Sequence, residues 1–228
     1  MLDFVGPIQR LEPKPLWYVL GTTEFFGESI KVDSRVLIPR SETEILTEWA
    51  VEQVNRCMEC SKTGLVSVLD LCTGSGCIAK AVEKNTNADV VAVDFCDSAL
   101  SLAKENLEGT SVEVLKGDMF ENLKGRHFDI IVCNPPYIKT GDIAKLDIEV
   151  RGSEPHLALD GGVDGLNFYR RLAAEAAGYL KAKGTLLLEV GIGQASKVRE
   201  LLEEGGFDEV LIIKDLEGVE RVVKARLK

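Results

Sequence analysis

From Leu65 onward, short apolar runs alternate with amphipathic stretches, and the connections between them are brief. Strands are expected over 65–71, 88–94, 111–117, 127–133, 184–190, 208–214 and 221–227, and helices near 77–85, 97–108, 165–180 and 194–204. Such alternation folds into an α/β architecture, a mostly parallel sheet with helices on both faces. The last two runs, "DEVLIIKDL" and "RVVKARL", are separated by only a few residues around Gly218. No crossover helix fits there, so these two must pair antiparallel. The expectation is a seven-stranded sheet whose last strand is antiparallel, one reversed strand at the end of an otherwise parallel sheet.

Ahead of this region, residues 1–20 carry prolines at 7, 13 and 15 and read as an arm. "EFFGESIKVDSRVLI" (24–38) alternates around Gly27 as a β-hairpin does. The division expected is an arm at 1–20, a hairpin at 21–40 and one domain at 41–228. "SETE" at 41–44 has the form of a capping box, Ser41 capping and Glu44 reaching back. The helix it opens places Ile45, Leu46, Trp49, Ala50 and Val54 on one side.

Composition narrows the function classes. The chain has 228 residues, 45% hydrophobic and 28% charged, as soluble globular proteins do. No apolar run is long enough to span a membrane, and the N-terminus lacks the basic and apolar regions of a signal peptide. A cytoplasmic protein is expected. The net charge of −10 supplies little of the cationic surface that binds nucleic acid. Of the six cysteines, only Cys57 and Cys60 form a CxxC. With no matching second pair and two histidines in all, reduced thiols are expected and no metal site.

The chemistry lies in the loops after the strands. "VLDLCTGSGCIAKAV" (68–82) is a strand, a glycine turn and a helix start. Gly74 and Gly76 let a ligand approach the backbone, and the helix start offers free N–H groups. Gly74, Gly76 and Ala79 also match a dinucleotide fingerprint, with Asp94 eighteen residues beyond Gly76, so a nicotinamide cofactor stays open at this point. Asp94 ends the second strand, where a carboxylate can accept both hydroxyls of a ribose. Asp118 ends the third, where it can either accept from an adenine amino group, with Met119 packed on the ring, or form a turn. Asn134 ends the fourth. Ligands of open α/β sheets bind outside the carboxyl ends of strands, so one rim gathers these residues.

Asn134-Pro135-Pro136-Tyr137 stops an apolar strand with two residues that cannot donate to a ladder. The Asn134 side-chain oxygen and the Pro135 carbonyl can together accept both hydrogens of a flat NH₂ group. Tyr137 can lie against the conjugated system that carries it. That is a pocket for an amide or exocyclic amino nitrogen, and it gives hydride transfer nothing to use.

The Asp-x-x-x-Gly-x-Gly loop at 70–76, Asp94, "NPPY" at 134–137 and the reversed last strand together resemble class I S-adenosylmethionine-dependent methyltransferases, which are Rossmann-like. "LGTTEFFGESIKVDSRVLIPRSETEIL" (20–46) and "SEPHLALDGGVDGLNFYRRL" (153–172) resemble the HemK/PrmC family in particular. The resemblance covers about residues 15–228. It implies transfer of a methyl group from S-adenosylmethionine to the side-chain nitrogen of the glutamine in the Gly-Gly-Gln loop of peptide chain release factors. It implies cofactor contacts from Asp70, Cys72, Thr73, Gly74, Ser75, Gly76, Asp94, Asp118, Met119 and Asn134, and acceptor chemistry at Asn134, Pro135, Pro136 and Tyr137. Around Glu154 the segment either wraps the acceptor or caps a loop, and Arg40 and Glu42 either touch a ligand or serve the helix start. Cys72 stands where the family has glycine and Ser41 where proline is common. The arm is too short to hold the N-terminal helical domain with which the family helps bind its release factor. The alternatives are methylation of an adenine or guanine amino group in nucleic acid, and a non-catalytic binding module.

Overall fold

A computed structural model describes residues 14–60 and 64–228. Most of the expected arm lies outside the described residues. Its described end is a short helix, α1 (Leu16–Leu20), which Gly21 terminates in left-handed backbone. The hairpin follows as β1 (Thr22–Phe25) and β2 (Glu28–Lys31), paired antiparallel. Phe26 and Gly27 both take positive φ (51° and 78°), as a tight two-residue hairpin turn requires. Pairing ends at Lys31, well short of 38.

The next helix, α2 (Ser41–Cys60), buries Leu46, Ala50 and Val54 completely, with Ile45 and Trp49 packed at the edge of the same cluster. The expected capping box does not form. Ser41 Oγ donates to the Glu42 carboxylate at 3.0 Å, and Glu44 Oε1 accepts from the Phe26 backbone N–H at 2.7 Å. The hairpin turn leaves that N–H without a ladder partner, and Glu44 satisfies it, which ties the hairpin to the helix.

Strand and helix then alternate as β3 (Ser67–Leu71), α3 (Cys77–Asn85), β4 (Asp89–Asp94), α4 (Asp97–Asn106) and β5 (Glu113–Lys116), and β6 (Phe128–Cys133) follows β5 with no helix between them among the described residues. Two short helices, α5 (Ile148–Ser153) and α6 (His156–Leu159), occupy a segment in which the sequence suggested none. The chain continues with α7 (Asn167–Glu175), β7 (Leu180–Glu189), α8 (Ala195–Glu204), β8 (Phe207–Lys214) and β9 (Glu220–Leu227). α7 stops short of the expected 180 because a 3₁₀ turn, Ala176–Gly178, brings the chain directly into β7.

The sheet order is β5-β4-β3-β6-β7-β9-β8. All pairs up to β6–β7 are parallel, and β9 is antiparallel to both β7 and β8. The reversed strand is therefore not at the edge of the sheet. It is inserted one place inside, and β8 takes the edge.

Alternation along the strands divides the core. Val68, Val90, Ala92, Ile130 and Val132 face a cluster with residues of α2, α3 and α4, while Leu69, Val91, Ile131, Leu186 and Leu188 face α7 and α8. Burial on both faces is what permits nearly continuous apolar strands. The strand order reverses between β3 and β6, and the crevice outside their carboxyl ends is where such a fold holds a ligand. Among the described residues, no helix is long and apolar enough to cross a membrane.

Candidate active site

A cavity of about 380 Å³ opens at that crevice. Its floor is the glycine loop after β3, where Cys72, Gly74 and Gly76 all take left-handed backbone (φ 57°, 55° and 80°). Beneath the loop lies Asp70, fully buried. One carboxylate oxygen accepts from the Thr73 hydroxyl at 2.5 Å and the Ala79 N–H at 3.2 Å, and the other has no partner among the described residues. Burial pushes its carboxyl up to about 7 despite those two donors. Asp70 thus holds the loop from behind and does not line the cavity.

Asp94, at the end of β4, closes the loop from the side. Its two oxygens accept from the Gly74 N–H and the Cys96 N–H, each at 2.9 Å. Burial raises its pKa, and the backbone N–H groups of Cys96, Gly74 and Phe95 oppose the rise. Cys72, Thr73, Ser75 and Asp94 line the cavity with Gly74. Gly76 stands at the start of α3, where a Cβ would crowd Leu107 at 3.1 Å. Asp118 and Met119, after β5, also line the cavity, with Met119 Sδ 3.8 Å from Cys72 Sγ of the loop. Asp118 Oδ1 accepts from Arg171 Nη1 at 2.6 Å, which fixes the carboxylate at the rim.

Asn134 and Pro136 reach the cavity from the end of β6. Asn134 Nδ2 donates to the Thr43 hydroxyl oxygen at 3.1 Å. Tyr137 turns away from the cavity, and its hydroxyl donates to Glu189 Oε1 at 3.3 Å. The NPPY loop is held by the segment that follows. Ile138 N–H donates to the Leu159 carbonyl and Gly161 N–H to the Ile138 carbonyl, at 3.0 and 2.8 Å. Gln194 Nε2 donates to the carbonyls of Tyr137 and Gly165, at 3.0 and 3.2 Å.

Arg40 and Glu154 meet each other, Nη2 donating to both carboxylate oxygens, and Glu42 faces Arg221 at 3.5 Å. Thr43, Arg171, Glu189 and Gln194 were not singled out by the sequence. Glu189 had one available signal, a lone carboxylate closing the apolar run "TLLLEV" at a strand end.

Residues 56–163 match the methyltransferase small domain. The chain is 43% identical over 219 residues to a release factor glutamine methyltransferase of Thermodesulfovibrio yellowstonii, covering 94% of this chain and 77% of the relative. It is 42% identical over 222 residues to that of Geobacter sulfurreducens, covering 96% and 75%. A solved protein-(glutamine-N5) methyltransferase, release factor-specific, from Alicyclobacillus acidocaldarius shares the fold with a TM-score of 0.53 at 31% identity, over 84% of this chain and 94% of that one. The glycine loop, the carboxylates at the strand ends and the NPPY turn thus stand in a chain that belongs to the release factor glutamine methyltransferase family.

Proposed function

We propose that this protein transfers a methyl group from S-adenosylmethionine to the side-chain amide nitrogen of the glutamine in the Gly-Gly-Gln loop of a peptide chain release factor, in the cytoplasm. The observation that carries this reading is the hydrogen bond from Asn134 Nδ2 to Thr43. It leaves Asn134 Oδ1 as an acceptor at the cavity. The adjoining Pro135 is buried and does not line the cavity, and its backbone, with a carbonyl and no donor, is proposed as the second acceptor. Two acceptors side by side suit the two hydrogens of an amide NH₂.

The residues present fit the cofactor. The cavity is walled largely by apolar side chains and carries carboxylates at Asp94 and Asp118. Each Asp94 oxygen accepts one backbone N–H and keeps a lone-pair site for a ribose hydroxyl. When bound, S-adenosylmethionine supplies an electrophilic methyl group on a sulfonium sulfur. The work left to the chain is alignment. An amide nitrogen is a poor nucleophile because its lone pair is delocalised, as the barrier of ~18–20 kcal/mol to peptide rotation indicates. Asn134 Oδ1 and the Pro135 carbonyl hold both N–H bonds and so fix the direction of the nitrogen. One of those two protons, made far more acidic once the nitrogen carries the methyl group, leaves after transfer. Such alignment is worth roughly 7–11 kcal/mol of barrier.

The test is a transfer assay with labelled cofactor and two release factors, one natural and one with the Gly-Gly-Gln glutamine changed to alanine. Label in the natural factor alone is the expected result. Equal label in both overturns the acceptor, and no label in either, with cofactor binding verified by calorimetry, overturns the activity.

A further inference from the structure

Glu189 ends β7 on the same rim as Asn134 and is 2% exposed. Its Oε1 takes the Tyr137 hydroxyl, and its Oε2 meets no partner of hydrogen-bonding geometry among the described residues. A buried carboxyl with a spare oxygen is costly, so its surroundings matter. The Thr43 hydroxyl, from the first turn of α2, lies beside it and with Tyr137 favours its charged form. Thr43 is itself buried and is the group that receives Asn134 Nδ2.

We propose that Glu189 is a positioning residue for methyl transfer: as a carboxylate it draws the Thr43 hydroxyl proton to itself, so that Thr43 can only accept from Asn134 Nδ2 and Asn134 Oδ1 is left facing the acceptor amide. This rests on the function proposed above. A hydroxyl has one proton to give. With that proton aimed at Glu189, the Thr43 oxygen can receive an N–H, and the Asn134 amide has one favourable orientation. When Glu189 takes up a proton, its own O–H can donate to Thr43. The Thr43 proton then turns to Asn134, whose oxygen it attracts, and Asn134 presents an NH₂ to the NH₂ of the substrate. Two donors face each other and the acceptor is no longer held.

The switch point is set by the groups around the carboxyl. Burial raises it to about 7, Thr43 and Tyr137 lower it, Glu42 on α2 raises it and Arg221 on β9 lowers it. Arg221 is itself engaged by Asp215 at 2.9 Å. From α7, Tyr169 donates to the Glu189 backbone carbonyl at 2.9 Å, and from α3 Cys77 senses its charge. Burial pushes both the Tyr169 and Tyr137 hydroxyls well up and the Cys77 thiol to about 12, so these three stay neutral while Glu189 titrates.

The experiment compares natural protein, Thr43→Val, Thr43→Ser, Glu189→Gln and Asn134→Ala in single-turnover methyl transfer to the natural release factor across the pH range around 7, with cofactor Kd measured by calorimetry. Thr43→Val is expected to lower the transfer rate about 100-fold at saturating cofactor, as misalignment does, and Thr43→Ser to restore it to within a few-fold. The natural protein should lose activity on the acid side of about pH 7, the limb that belongs to Glu189, and Glu189→Gln should lose that limb. A Thr43→Val protein at the natural rate, or an acid limb unchanged in Glu189→Gln, overturns this inference while an inactive Asn134→Ala leaves the proposed function standing. An active Asn134→Ala overturns the proposed function itself.

Discussion

One nitrogen of Arg40, Nη2, donates to both carboxylate oxygens of Glu154, at 2.7 and 2.8 Å, across 114 positions of sequence. The pair joins the segment that leads into α2 to the one between α5 and α6, and the neighbouring Pro39 and Pro155 both line the cavity. The Glu154 side chain is 1% exposed, so Arg40 is what makes its charge tolerable. Burial raises its pKa and Arg40 lowers it.

Arg40→Met keeps most of the side-chain stem and strands that carboxylate. The expected loss of stability near neutral pH is about 2 kcal/mol, less than for a fully buried pair because Arg40 is partly solvated. In the variant the Glu154 pKa rises further above its unfolded value, so the deficit is present at high pH and shrinks as acid protonates the group. Urea denaturation at neutral and acid pH reads both. A deficit that grows with acid contradicts the assignment.

Asp70 and Glu189 give the natural protein a pH-dependent stability of defined sign. Both carboxyls titrate at about 7 in the folded chain, against ~4 when unfolded. The folded state therefore binds protons that the unfolded state has released, and stability rises as the pH falls through 7. From pH ~8 to ~6 the two together contribute on the order of 1–3 kcal/mol. Asp70→Asn, which cannot titrate, should show a smaller gain over the same interval in denaturant midpoints.

The NPPY turn should be sensitive from behind. Gly165 takes φ +77°, and a Cβ there would run into the Tyr137 carbonyl. Gly165→Ala is expected to cost about 2–4 kcal/mol. Gln194→Ala removes the clamp on Tyr137, Gly165 and Gly191, at about 1–3 kcal/mol. Both should slow transfer more than they weaken cofactor binding. The comparison is the single-turnover rate beside Kd, and an unchanged rate in Gln194→Ala would remove that residue from the support of the turn.

On the cofactor side, Asp94→Ala removes the carboxylate proposed to take the ribose hydroxyls and also frees the Gly74 and Cys96 N–H groups. Its expected effect is a rise in cofactor Kd of about 100-fold. Asp118→Ala should raise Kd about 10-fold, as one lost hydrogen bond does. Calorimetry distinguishes them, and an unaltered Kd in Asp118→Ala would leave that residue only its bond to Arg171.

The strands after Leu65 were legible because burial on both faces writes them as apolar runs, and their ends were marked by Asp94, Asn134 and the glycines. The acceptor roles proposed for Asn134 and Pro135 could be read from the sequence, as an amide side chain followed by backbone carbonyls that have no N–H beside them. Thr43 was not, since it sits 91 positions away in a helix start that suggested only a cap. Glu44 went to the hairpin because Phe26 needed an acceptor, a demand visible only once the two elements meet. The place of β9 was hidden for another reason. A short connection dictates that β8 and β9 pair, but not which of them meets β7.

That last choice bears on the order of assembly. Among the described residues, β8 joins the sheet only through β9, though it precedes it in the chain. During synthesis β7 is followed by α8 and β8, yet its open edge waits for Glu220–Leu227. Until those residues leave the ribosome, the edge is an unpaired template open to intruding strands. Val222 pairs with Glu189 in that final step, so the β9 edge of the strand that carries Glu189 closes only when β9 seats. The nascent enzyme is thereby kept incomplete until the strand that seals its sheet has been made.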